Sequence, residues 1–144
     1  FITATLLRYC QQEHIPFTRS RPYKKNDQAY VEQKNWTVVR QTVGYDRYEG
    51  SLALAQMQAL YQVLRLYVNF FQPVMKLVSK QRVGSKVRKK YDAAKTPFRR
   101  IMDVPEASHD TKVRLLHQYI SLNPAGLLRQ IRSLQEQLWR LAKG

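Results

Sequence analysis

Residues 51–71 read SLALAQMQALYQVLRLYVNFF, and this stretch decides the fold class. Apolar side chains cover most of its helical circumference, which predicts one long helix that is buried or meets a partner. Pro73 ends the helix, because proline disfavours helical backbone in the residue before it. Gln56, Gln62 and Arg65 interrupt the apolar run, so we do not expect the stretch to span a membrane.

Shorter elements are predicted before this helix. Apolar spacing predicts a helix at Ile2–His14 and a brief strand at Ile15–Thr18. A second helix is predicted to begin with Asn26 or Asp27 as its N-cap and to end at Val43, because Gly44 is a natural residue to follow a helix. Residues 1–48 thus contain two predicted helices and a short strand.

Two further segments are predicted after these residues, at residues 49–102 and 103–144. The first contains the long helix and a basic stretch, Lys76–Arg100, with little core of its own and a single acid, Asp92. The second is predicted to be a helical hairpin, in which Asp110 caps one helix and Asn123 caps the next. A short heptad seam in the last helix pairs within this hairpin or with another subunit, and its residues are Leu127, Ile131, Leu134, Leu138 and Leu141.

The composition indicates an anionic partner. The chain has 25 Lys and Arg against 10 Asp and Glu, a net charge of +15, and nucleic acid is the commonest polyanion for such a balance. The plainer interpretation is a solvated basic surface, and a basic helix bundle at an anionic membrane is a weaker one. The lone cysteine, Cys10, excludes an internal disulfide and is expected to be a buried small hydrophobe. No zinc-ligand spacing or nucleotide-binding glycine motif is present, so no small-molecule substrate is predicted.

Glu32 lies on an apolar face of the second predicted helix. Glu32, Trp36, Val39 and Val43 follow one another at helical spacing, so the carboxylate is expected to point inward. A buried carboxylate needs an ion pair, hydrogen bonds or a metal. The structural interpretation is an ion pair with Lys24, Lys25 or Arg40, and the functional interpretation is a metal ligand.

The sequence around Glu32 resembles a known family. Residues 17–36, FTRSRPYKKNDQAYVEQKNW, are similar to bacterial insertion-sequence transposases with an integrase catalytic core, in the retroviral integrase superfamily. The stretches 44–49, 66–73 and 91–97 also resemble family segments, and the similarity fades after Met102. The resemblance implies that Glu32 is the last acid of the Asp, Asp, Glu triad. The fold would then be mainly α, with residues 1–48 as the C-terminal remnant of an RNase H-like α/β core.

The resemblance also implies a chemistry and a set of partners. The family uses Mg²⁺ or Mn²⁺ to nick and transfer DNA strands, and both catalytic aspartates would precede Phe1, so we expect neither tight metal binding nor strand transfer from these residues alone. The expected partners are transposon ends and target DNA, with a second copy of the chain as a further candidate, in a bacterial cytoplasm. The residues expected to contact DNA are Lys24, Lys25, Lys34 and Arg40 near Glu32, and Lys86, Arg88, Lys89 and Lys90 in the basic stretch.

Two consequences of this interpretation bear on the structure. Leu6, Leu7, Trp36 and Val39 would cover a sheet whose main strands are absent, so they should be exposed, repacked or self-associating. Tyr91 and Phe98 lie within the basic stretch and either stack on bases or serve as packing residues. The alternative to a transposase is a non-enzymatic helical protein that binds nucleic acid or a partner and in which Glu32 is structural.

Overall fold

A computed structural model describes residues 3–143, apart from the side chains of Lys25 and Tyr30. The chain is mainly helical, as predicted, and has one two-stranded antiparallel sheet within that range. It divides into two compact units, one ending at Gly44 and the other beginning at Tyr45. The predicted segments 49–102 and 103–144 therefore lie in one unit. None of the helices described has the length and hydropathy to cross a membrane.

The N-terminal unit is a short helix followed by a longer, irregular helical segment. Its elements are helix α1 at Ala4–Gln12, a 3₁₀ turn at Lys25–Gln28, α2 at Ala29–Lys34, a π-helical stretch at Asn35–Arg40 and α3 at Gln41–Val43. Gly44 follows with φ of +84°, a conformation that glycine adopts without strain, as predicted. The strand predicted at 15–18 is absent, and Ile2 lies outside the described residues.

The N-terminal unit has a very small core. Among its described residues only Cys10, Thr42 and Val43 are buried, and Cys10 is the buried small hydrophobe that was predicted. Leu6, Leu7 and Trp36 are exposed, Trp36 by 54%, which is one of the outcomes predicted for them. Val39 is half-buried. The unit thus presents apolar surface that its own residues do not cover.

The C-terminal unit has four helices and a β-hairpin. Its elements are α4 at Gly50–Phe71, β1 at Leu77–Val83, β2 at Lys86–Tyr91, α5 at Pro97–Asp103, α6 at His109–Ser121 and α7 at Pro124–Trp139. The long helix α4 has the predicted extent to within one residue. The loop expected at 104–108 is also present.

Helix α7 packs along α4, so the predicted pairing of the last two helices with each other is wrong. Leu60 of α4 and Leu138 of α7 are fully buried, and Gln56 Nε2 donates a hydrogen bond to the Leu134 carbonyl at 3.3 Å. The heptad seam exists, since Leu127 and Ile131 are buried with Leu138. Its partner is α4 because α4 is far more apolar than α6, and burial of apolar area drives such packing.

An aromatic cluster joins α4, α5 and α6. The rings of Phe98 and Tyr119 stack with centroids 4.7 Å apart, and Phe70 lies 5.3 Å from Phe98. Phe71 meets Tyr119 at 5.5 Å. Phe98 was predicted either to stack on bases or to serve as a packing residue, and its burial in this cluster shows that it is a packing residue. The same burial fixes α5 against the helical core.

Side-chain caps set where three of these helices begin. Thr96 accepts a hydrogen bond from the Arg99 amide and starts α5, a helix that was not predicted. Ser108, not Asp110 as predicted, accepts from the Thr111 amide and starts α6. Asn123 accepts from the Gly126 amide at 3.0 Å and precedes Pro124, which confirms the predicted start of α7.

The basic stretch predicted to have little core forms the β-hairpin. All residues of β1 and β2 are exposed. The Val83–Lys86 pair closes the ladder around a two-residue turn, Gly84-Ser85. Gly84 has φ of +61°, which is the conformation of the first turn residue in a type II′ hairpin.

Removing the Leu60 side chain should destabilise the C-terminal unit. Leu60→Ala leaves a cavity at the fully buried α4–α7 contact, and we expect a loss of about 2–5 kcal/mol in the free energy of unfolding. Leu54→Ala removes the same atoms from an exposed position of the same helix and should change it by no more than about 0.5 kcal/mol. Denaturant titration followed by circular dichroism measures both, and equal losses would contradict the packing described.

Candidate nucleic-acid interface

The β-hairpin concentrates positive charge. Residues 77–91 contain no Asp or Glu and six cations, namely Lys80, Arg82, Lys86, Arg88, Lys89 and Lys90. None of these six forms an ion pair with an acid in the described part of the chain. Charge that the protein does not neutralise is available to an external polyanion.

Strand register sorts these cations onto two faces, because directly opposed residues of an antiparallel pair share a face. One face, which we call the Arg88 face, contains the pairs Ser79–Lys90, Gln81–Arg88 and Val83–Lys86. The other, the Lys89 face, contains Lys80–Lys89 and Arg82–Val87. Both faces are therefore basic.

The Lys89 face places two like charges side by side. Lys80 and Lys89 are direct cross-strand partners, an arrangement that destabilises a sheet in isolation. Arg82 Nε donates to the Gly84 carbonyl at 3.3 Å, which holds that guanidinium near the turn. An anion bound between these two side chains would relieve the repulsion.

The base of the hairpin is closed by backbone pairing. Val74 and Lys95 exchange two hydrogen bonds, at 3.1 and 3.2 Å. The Asp92 amide donates to the Lys76 carbonyl at 3.0 Å, and the Lys76 amide donates to Asp92 Oδ1 at 2.6 Å. These bonds extend the pairing beyond the strands towards α5.

Arg100 of α5 fastens this base to the helices. Its Nη1 donates to Asp92 Oδ2 at 2.6 Å, and its Nη2 donates to Asp92 Oδ1 at 3.1 Å and to the Val74 carbonyl at 2.7 Å. The Arg100 guanidinium, together with the Lys76 amide, lowers the pKa of Asp92 to about 2. Lys95 and Asp103 add an ion pair of 2.6 Å. The one acid of the basic stretch therefore anchors the hairpin and does not neutralise it.

Several of these residues were not predicted as site residues. Lys80 and Arg82 of β1 were predicted only as members of the basic stretch, and Gln81 was not singled out, because no acid, glycine or proline interrupts residues 77–83. The signal that identifies them is Gly84-Ser85 between two alternating stretches, a typical hairpin turn. Arg100 was predicted only as one of the basic residues. Its bonds to Asp92 and Val74 could not be predicted, because these two residues approach Arg100 only when the hairpin forms.

Glu32 does not point inward as predicted. It is exposed, and its carboxylate makes no hydrogen bond or ion pair with any described residue, including Lys24 and Arg40. The π-helical stretch at Asn35–Arg40 bonds i to i+5, so the face deduced from ordinary helical spacing does not carry from Glu32 to Val43. The described residues of this unit form no strand that could cover that face.

Three of the four predicted DNA contacts near Glu32 can be placed. Lys24, Lys34 and Arg40 are exposed, the last two on the same helical segment as Glu32, while the Lys25 side chain lies outside the described residues. Asp27 was predicted to cap this segment and does not. Its carboxylate instead accepts two bonds of 2.9 Å from the Arg21 guanidinium, which lowers the pKa of Asp27.

The carboxylates available do not fit a two-metal site. Across the part of the chain that is described, no three His, Cys, Asp or Glu residues lie close enough to hold a metal ion. Mg²⁺ pairs need several oxygen ligands, and Glu32 supplies one exposed carboxylate. No reaction step through a metal follows from these residues.

Comparison with known proteins finds a relative, but it gives no indication of an activity. A stretch of 100 residues is 46% identical to "Uncharacterized protein y4rM" of Sinorhizobium fredii (strain NBRC 101917 / NGR234). The alignment covers 69% of this chain and 29% of that protein, so the chain spans under a third of the relative's length. No protein-family model and no solved structure matches the chain.

Replacing Asp92 with asparagine should loosen the hairpin. Asp92→Asn keeps the side-chain shape and removes the charge that Arg100 and the Lys76 amide bind. We expect faster amide hydrogen exchange in residues 77–91 and a lower melting temperature at pH 7. Glu106→Gln, which removes an exposed loop acid from the same unit, should change neither.

The same variant gives a pH test. The pKa of Asp92 is lowered from 3.8 to about 2, so its contribution to stability is present above pH 4 and is lost as pH falls towards 2. The difference in melting temperature between wild type and Asp92→Asn should therefore shrink over that interval. A difference that stays constant from pH 7 to pH 2 would show that the Asp92 charge does not support the fold.

Proposed function

We propose that this chain binds DNA through its basic hairpin and is part of a transposase or integrase of the Asp, Asp, Glu type. The observation that carries the binding proposal is the hairpin itself. Six cations without acidic partners are displayed on an exposed ribbon whose base Arg100 ties to the helical core. A structural role alone would not favour so much uncompensated charge.

The spacing of the cations suits a phosphate backbone. Lys86, Arg88 and Lys90 alternate along β2 on one face, so their Cα atoms follow one another at about 6.7 Å. Consecutive phosphates of a nucleic-acid strand form a row of charges on a similar scale. Neutralising them releases condensed counterions, which is the main source of affinity for basic proteins.

The assignment to a transposase rests on the sequence resemblance, and two structural features support it. Glu32 lies on the surface of a helical segment that also carries Lys34 and Arg40, as expected of an acid that acts beside DNA. Leu6, Leu7 and Trp36 form apolar surface without a cover, which suits a remnant of an RNase H-like core whose sheet lies elsewhere in a longer protein. Mg²⁺ or Mn²⁺ would then be held together with carboxylates outside this chain.

A non-enzymatic nucleic-acid-binding protein is the second candidate. It is favoured by the position of Glu32 and the hairpin in separate units, because the hairpin can then bind nucleic acid without any contribution from Glu32. Under this candidate the hairpin keeps its role and Glu32 has none.

Removing the cations of β2 should flatten the salt dependence of DNA binding. In a variant with Lys86, Arg88, Lys89 and Lys90 changed to Gln, we expect the slope of log K against log salt to become shallower by about 3–4, because each neutralised phosphate contributes about 0.9. Fluorescence anisotropy with a labelled duplex measures the slope.

The matched control removes four cations from exposed positions of α6 and α7 and its C-cap. Its substitutions are Arg114→Gln, Arg129→Gln, Arg132→Gln and Arg140→Gln. It lowers the net charge by the same amount and should change the slope by less than about 1. Equal changes in the two variants would mean that net charge, and not the hairpin, determines binding.

The transposase assignment has its own test. The reading frame before the codon for Phe1 should continue into an acidic Asp-Asn-Gly type segment and an earlier Asp. In a protein that includes this upstream sequence, Glu32→Gln should abolish Mg²⁺-dependent strand cleavage while DNA affinity stays unchanged. A frame without those aspartates, or full cleavage by the variant, would leave the non-enzymatic candidate.

A further inference from the structure

Building on the proposed function, we propose that the Arg88 face of the hairpin reads base pairs in the major groove of duplex DNA, with Arg88 and Gln81 as its specificity-determining residues. Phosphate binding alone would need only positive charge. The residue types on the two faces of the hairpin differ, and this difference carries the proposal.

The ribbon has the dimensions of a groove reader. Its two strands lie about 4.8 Å apart, and β1 is about 23 Å long at 3.3 Å per residue. The major groove of B-form DNA is about 12 Å wide and admits a two-stranded ribbon. The major groove of A-form RNA is too narrow and deep for side chains to read, so the partner is duplex DNA. Full exposure of both strands leaves the ribbon free to enter the groove.

The central pair of the Arg88 face has the chemistry of base recognition. Gln81 and Arg88 are direct cross-strand partners, and neither side chain makes a hydrogen bond in the described structure. A guanidinium donates two bonds to guanine O6 and N7, and a glutamine amide bonds adenine N6 and N7. Their Cβ atoms lie about 5 Å apart, within reach of neighbouring base pairs stacked at about 3.4 Å. The preferred site should therefore contain a G·C pair next to an A·T pair.

The Lys89 face has no such pair, because Val87 and not an amide side chain lies opposite its guanidinium. Lys80 and Lys89 carry ammonium groups, which are compact point charges on flexible stems and suit phosphates more than base edges. Arg82 is the guanidinium of this face, and its Nε is engaged with the Gly84 carbonyl. Lys86 and Lys90, which flank Arg88 on its own face, would meet the phosphates that line the groove.

Base reading also requires a ribbon in a fixed position. An isolated two-stranded hairpin is marginally stable in water. Here the bonds of Arg100 to Asp92 and to the Val74 carbonyl fix its base to α5, which Phe98 holds in the aromatic cluster. The Arg88 face is thus presented in a defined orientation relative to the C-terminal unit.

The test is a binding selection from a pool of duplex DNA with a randomised centre, followed by affinity measurements on the enriched and a scrambled duplex. Wild type should enrich a shared motif containing the predicted step. Arg88→Ala should lower the preference for the enriched duplex by about tenfold or more. Lys89→Ala, an equal loss of charge on the adjacent residue of the opposite face, should leave the ratio of the two affinities unchanged. Gln81→Ala should lower the preference with no change in slope.

The outcomes separate this inference from the proposed function. Binding with a steep salt slope but no enriched motif would overturn base reading and leave DNA binding intact. Equal loss of preference in Arg88→Ala and Lys89→Ala would also overturn it. Tighter binding to single-stranded DNA or to double-stranded RNA would overturn base reading and would show that the ligand is not duplex DNA. A shallow salt slope for every nucleic acid would overturn both base reading and the proposed DNA binding. Each substituted residue is exposed, and circular dichroism confirms that the variants are folded.

Discussion

The guanidinium of Arg100 connects the two parts of the C-terminal unit. On one side it binds the Asp92 carboxylate and the Val74 carbonyl, which lie at the base of the hairpin on either strand. On the other it belongs to α5, whose Phe98 is buried between Phe70 and Tyr119. Planar geometry lets one side chain serve both strands at once, which a lysine in that place would not do. The position of the ribbon therefore depends on a residue that lies outside it.

In this arrangement, the residues that stabilise the fold are different from the residues that carry the hairpin's charge. The apolar residues that hold the unit together lie in α4, α7 and the aromatic cluster, whereas the six cations of the hairpin lie in strands with no buried residue. The hairpin's basic side chains are therefore not needed for core packing and are accessible to a ligand. Repulsion such as that between Lys80 and Lys89 raises the energy of the free protein, and under the proposed function a bound phosphate would relieve it.

The long helices were predictable, and their partners were not. The apolar run of α4 and the Asn123-Pro124 start of α7 are local signals, so periodicity and capping rules identified both elements. Which helix α7 packs against depends on competing apolar areas, and α4 offers more than the sequence neighbour α6. The predicted orientation of Glu32 was wrong for a similar reason, because no local sequence pattern indicates the π-helical stretch. At the hairpin, the cations of β2 were evident from composition, whereas their two faces follow from a register that the Gly84 turn sets.

The π-helical stretch at Asn35–Arg40 has an evolutionary consequence. Such a wide turn commonly behaves as a one-residue insertion in an α-helix, whose residues are about 100° apart around the axis. A single deletion there would restore regular winding and leave Glu32 at nearly the same angle to Val43, the buried anchor at the end of the segment. The segment can thus lose one residue without turning the acid away from its present direction.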